Sequence, residues 1–161
     1  MVDTIVGNYL GIDWGESKIG LALAHEETKV AVAYATLQHS ADLFGDIKKI
    51  IETESVTGLV IGVPKRYHSQ GHKESEQFGN SLAQITGLPV YFTNEMFTTK
   101  IAQQTLSLRG EKKISQSDDA ESARILLQDW LDSRLKALKK MRYIGNTLKG
   151  ADLKNSATLQ S

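Results

Sequence analysis

Leu10-Gly11-Ile12-Asp13-Trp14-Gly15-Glu16-Ser17-Lys18-Ile19-Gly20-Leu21-Ala22-Leu23 decides the fold. Leu10 and Ile12, and then Ile19, Leu21 and Leu23, lie two residues apart, the period of a strand with one buried face. Gly15, Glu16 and Ser17 separate the two runs, so the stretch predicts a β-hairpin, with Gly15 supplying a conformation that other residues resist. A third extended run, Val30 to Leu37, makes this an antiparallel three-stranded unit.

Past the hairpin unit the period changes. Leu43, Phe44, Ile47, Ile50 and Ile51 repeat at helical spacing. Gly58-Leu-Val-Ile-Gly-Val-Pro64 is almost wholly apolar, as expected of a strand covered on both faces. Residues 73–86 read as a helix through Phe78, Leu82 and Ile85, closed by Gly87, and Pro89-Val-Tyr-Phe-Thr93 as a second buried strand. Helices over 98–109 and 119–140 follow, the last carrying Leu127, Trp130, Leu131, Leu135 and Leu138. The order β-β-β-α-β-α-β-α-α predicts an α/β fold, with an antiparallel hairpin unit feeding parallel strands and helices on both faces. Residues 1–140 read as one domain, and 141–161, rich in Gly, Asn, Lys and Ser, as a basic, flexible tail.

The whole chain has 161 residues, 40% of them apolar and 24% charged, enough for a core and against global disorder. It has no Cys, which excludes disulfides, thiolate metal sites and a cysteine nucleophile. No apolar stretch spans a bilayer and the N-terminus lacks a leader pattern, so a cytoplasmic protein with no membrane partner is expected. The formal net charge is zero, but it is unevenly spread. From residue 134 onward Arg134, Lys136, Lys139, Lys140, Arg142, Lys149 and Lys154 face Asp152 alone, a balance of +6, which leaves −6 on residues 1–133. Such a tail either contacts phosphates or is simply solvated.

In a sheet of this kind ligands bind beyond the carboxyl ends of the central strands. Asp13 ends the first apolar run, Glu95 lies two residues past the strand 89–93, and Asp118 and Asp119 begin the last helix. Each has an ordinary use, since Asp13 can satisfy turn amides, Glu95 can sit in a surface loop, and Asp118 or Asp119 can cap a helix. Together, carboxylates at one sheet edge suit hard divalent cations such as Mg²⁺ or Mn²⁺, which also relieve their mutual repulsion.

These residues carry a family resemblance. Gly11-Ile12-Asp13-Trp14-Gly15 with Lys18-Ile19-Gly20-Leu21-Ala22 resembles the first hairpin of the YqgF family of RNase H-like proteins, described as Holliday junction resolvases and pre-16S rRNA nucleases. Val60-Ile61-Gly62-Val63-Pro64 with Gln70-Gly71, Asn94-Glu95-Met96-Phe97-Thr98-Thr99, and Asp119-Ala120-Glu121-Ser122-Ala123 resemble its later motifs, and the likeness covers roughly residues 8–133. The resemblance implies an RNase H-like fold with a mixed five-stranded sheet. It also implies hydrolysis of phosphodiester bonds in structured DNA or precursor rRNA by a two-metal-ion mechanism. Its acidic triad falls on Asp13, Glu95 and Asp119, and favours Asp119 over Asp118. This sequence departs from the pattern at Lys18, where Arg is usual, and at Asn94, Met96 and Ser122. Lys18 keeps the charge for substrate binding without the bidentate fork.

Further phosphate-binding candidates are Lys65 and Arg66 after the Gly62–Pro64 strand end, Thr98 and Thr99 at a helix start, and Lys112-Lys113 in a polar loop. Thr98 also suits an N-cap, and the lysine pair a solvated loop. His68 and His72 are four apart, but Gly71 between them is expected to break the helix that would align them on a metal, and Trp14 is expected to pack rather than stack on a base. Two other readings are a non-catalytic nucleic-acid or ribosome-associated module, and an ATP-binding lobe of the actin/sugar-kinase type, whose hairpin also reads Gly-Ile-Asp-x-Gly. A monomer and a homodimer both remain open.

Overall fold

Asn8–Trp14 (β1) and Lys18–Ala24 (β2) form the expected antiparallel hairpin, with Ala31–Gln38 (β3) on its outer edge. The structure is a computed structural model that describes residues 6–64, 70–94 and 116–158. Leu43–Thr53 (α1), Val56–Val63 (β4), Gln70–Thr86 (α2), Val90–Asn94 (β5) and Gln116–Thr158 (α3) complete it. The strands form one five-stranded sheet in the order β3-β2-β1-β4-β5, antiparallel through the first three and parallel from β1 to β4 and β5.

Alternation sorts the side chains between two cores. Leu10, Ile12, Ile19, Leu21, Leu59 and Ile61 point to one face, where Leu43, Ile47 and Ile51 of α1 and Phe78 and Leu82 of α2 cover them. Tyr9, Ala22, Ala24 and Val60 point to the other, under Ala123, Leu126, Leu127 and Leu131 of α3. β4 has neighbours on both sides and helices on both faces, which explains its unbroken apolar run. Trp14 packs on the α1/α2 core, as expected. Gly87 ends α2 in the left-handed region (φ 70°), its N–H donating to the Ala83 carbonyl at 2.9 Å.

Three expectations are corrected. Gly15 does not have positive φ; instead, a Cβ there would stand 2.7 Å from the Lys18 carbonyl oxygen, so closeness across the turn is what excludes a side chain. α2 starts at Gln70, so Gly71 belongs to its first turn and does not break it. The last helix does not end at 140 but runs 43 residues to Thr158. Past Leu138, the last described α3 residue packed on that core, its apolar residues thin to a few among Gly, Asn and Lys, too sparse a pattern to read as a helix. The helix expected over 98–109 lies outside the described residues.

Candidate active site

Strand pairing sets Asp13 between two glycines. Gly20 of β2 is its partner on one side and Gly62 of β4 on the other, with Thr36 beyond Gly20 and Thr93 beyond Gly62. Directly paired residues point to the same face, so this row lies on one side of the sheet. That side belongs to α3. A Cβ on Gly11, two residues before Asp13, would stand 2.8 Å from Leu127 Cβ and 3.2 Å from the Ala123 carbonyl oxygen. A Cβ on Gly20 would collide with the carbonyl oxygen of Asp119. α3 therefore lies along β1 with its first turns over the carboxyl end of that strand. Asp119 is set over the glycine paired with Asp13, and the two carboxylate residues, far apart in sequence, occupy adjoining positions.

The absence of a side chain at Gly20 lets the α3 backbone seat directly on the sheet beside Asp13. Asp13 and Asp119 are both half-buried, a setting in which like charges repel more than in water. The neighbouring acid on α3 is differently disposed. Arg124 forks onto Glu121, with Nη2 to Oε1 at 2.7 Å and Nε to Oε2 at 2.9 Å, and this pairing pushes the guanidinium further into its charged range. Asp118 and Asp119 both lie inside α3, so neither is its N-cap.

Lys18, the first residue of β2, is half-buried and shares its face with Gly20, one row nearer the hairpin turn. The imidazole of His39 closes over that turn, its Nε2 2.6 Å from the Gly15 carbonyl oxygen and its ring edge-on to Trp14 with centroids 5.4 Å apart. His72 is not arranged for a metal. It is buried; Nδ1 donates to the Pro64 carbonyl at 2.9 Å, tying the start of α2 to the end of β4, while Nε2 faces Glu76 Oε1 at 3.1 Å one turn on in the same helix. Glu95, Lys65, Arg66, Thr98, Thr99, Lys112, Lys113 and His68 lie outside the described residues. Among the described residues no three acidic or imidazole groups gather in one place. β5 ends at Asn94, immediately before Glu95 in sequence and one residue past the row that contains Asp13.

Sequence reasoning passed over Gly20, Gly62, Thr36 and Thr93 as parts of this row. The glycines did carry a signal, because a glycine inside an apolar strand marks a close backbone approach.

A family model described as RuvX, Holliday junction resolvase, matches residues 7–133. The chain belongs to that family. Among its curated relatives, an Anaeromyxobacter sp. (strain Fw109-5) protein named "Putative pre-16S rRNA nuclease" is 34% identical over 134 residues, covering 78% of this chain and 97% of the relative. One of the same name from Rickettsia conorii is 30% identical over 131 residues, 77% of this chain and 85% of the other. The fold is similar to that of T. thermophilus RuvC solved with a Holliday junction substrate, at a TM-score of 0.53 and 16% identity over 81% of this chain and 96% of that one. The Fowlpox virus resolvase solved with Holliday junction DNA gives 0.51 and 11% over 80% and 99%. The chain is thus a phosphodiester-hydrolysing enzyme with the RNase H-like mixed sheet. Among its described residues, no helix is long and apolar enough to cross a membrane.

Proposed function

We propose that this chain trims precursor 16S rRNA during ribosome assembly by hydrolysing phosphodiester bonds at the carboxyl edge of β1, with Asp13, Glu95 and Asp119 as its acidic triad. The observation that carries this is the glycine-flanked Asp13 with Asp119 set over Gly20. Hard oxygen donors brought together from two separate elements fit Mg²⁺ or Mn²⁺. Asp13 and Asp119 would hold such an ion, with Glu95 completing the set. When bound, it would polarise the scissile phosphate and acidify the attacking water. Asp13 would be its central ligand, because it stands in the middle of the row, and Lys18 on the same face would supply positive charge toward a phosphate oxygen. Lys65, Arg66, Thr98, Thr99, Lys112 and Lys113 are proposed to hold the strands on either side of the cut.

The rRNA reading is favoured by relatives whose whole length the chain nearly spans and whose name specifies that substrate. Cleavage of four-way DNA junctions is the second reading, favoured by the description of the family model. Residues 1–140 are proposed to form the nuclease unit in a cytoplasmic protein. Asp13→Asn and Asp119→Asn should each slow Mn²⁺-dependent cleavage of labelled precursor rRNA at least about a hundred-fold, since a metal site supplies several kcal/mol to the transition state. The melting temperature should scarcely change. Full activity in either variant refutes the assignment, and the same panel run on a four-way junction decides between the substrates.

A further inference from the structure

The family match ends at residue 133, but α3 continues to Thr158. Between Asp132 and Asp152 the chain has no acidic residue, while Arg134, Lys136, Lys139, Lys140, Arg142 and Lys149 fall within that interval. Arg134 lies over Tyr91 and Trp130, 5.0 and 5.1 Å from their ring centroids. The next three cations are exposed, and among the described residues none is in an ion pair. Lys136 and Lys140 stand at i,i+4, and Lys136–Lys139 and Lys139–Arg142 at i,i+3, spacings at which like charges destabilise a helix. A merely solvated helix mixes signs on its surface; this one concentrates a single sign, and its self-repulsion is relieved by a polyanion.

We propose that residues 134–158 form an arm that lies along the phosphate backbone of a nucleic-acid duplex leading away from the cleavage site. The proposal rests on the nuclease reading above and extends it to the form of the substrate. At 1.5 Å per residue, Lys136 is about 25 Å along the helix from Asp119, and position 154 about 52 Å. A duplex laid beside the helix meets the arm from roughly 7 to 15 base pairs beyond the cut, at about 3.4 Å per pair. Met141, Ile144 and Leu148 also form an exposed apolar stripe on this helix, which raises a second copy of the chain as a rival occupant. Two such arms would bring like charge against like charge, which favours the polyanion.

The test uses the full chain, with an Asp13→Asn background for binding so that substrate is not consumed. Probes are DNA and RNA duplexes extending about 5, 10 or 20 base pairs from a common end. Affinity should rise with length until the arm is covered. A Lys136→Gln/Lys139→Gln/Lys140→Gln variant should lose that rise, and its log Kd against log salt should flatten by about 3, one unit for each phosphate left without its lysine. Equal affinity and slope in the variant overturn the arm, as does a dimer in sedimentation that the substitutions dissolve. Arm-dependent binding when the parental chain, with Asp13 intact, cleaves none of these substrates supports the arm while refuting the nuclease reading. Dependence with only one of the duplexes supports the arm and identifies the nucleic acid.

Discussion

Gly20 is where a single atom does most damage. Its missing Cβ is filled by the backbone of Asp119, which, unlike a side chain, has no other rotamer to adopt. Gly20→Ala should therefore lower stability by about 1–3 kcal/mol and, by pushing Asp119 away from Asp13, reduce cleavage by more than that loss of folded protein explains. Denaturant melts alongside single-turnover rates check both effects, and a normal rate in the variant would separate Gly20 from the site. Tyr9 offers a different readout. Burial, reinforced by Tyr91 and opposed by Arg134, holds its hydroxyl above the ordinary value of 10.0. A raised folded pKa favours the native state fully below pH 10.0, and that contribution is lost as pH rises through the folded value. Tyr9→Phe should thus lose less stability than the parent between about pH 9 and pH 11, as followed by urea unfolding at each pH.

At the level of elements, the tie between α2 and β4 predicts that His72→Ala lowers stability by about 1–3 kcal/mol, because the Pro64 carbonyl loses a buried donor. Urea midpoints measure this, and an unchanged midpoint would mean that water replaces the imidazole. His72 also marks a limit of sequence reading. Its neighbour Gly71 read as a helix break, yet it opens α2, because a glycine in a first turn costs little where the helix is anchored by other contacts. The hairpin, β4 and the α1 face were legible, since burial on one or both faces leaves a period of two, an unbroken apolar run or a period near four. Asp13 and Asp119 were legible as acids at element ends, and family likeness made them a pair. The glycines that seat one over the other were not, because their role lies in what approaches them from a distant helix. The length of α3 was hidden for the opposite reason: past Leu138 no described residue packs on the sheet core, and the few apolar residues there are interrupted by Gly145 and Gly150.

For the whole molecule, the last described α3 residues packed on the sheet are Leu135 and Leu138. A chain cut after Lys140 should keep its stability to within about 0.5 kcal/mol, since no described residue beyond it packs on the sheet core, and still cleave short substrates at the parental rate. Thermal unfolding and single-turnover kinetics of the shortened chain test this, and failure to fold would move the domain boundary into the extension. The charge map points the same way, with an acidic body, a basic extension and a formal balance of zero between them.

One continuous helix both seats Asp119 on Gly20 and fits Leu127 against Gly11. Those two contacts lock its phase, because inserting or deleting a single residue between them would turn everything beyond by about 100°. Within this helix, length changes past Leu138 leave that phase untouched, so the overhang can be resized without resetting the chemistry at the other end.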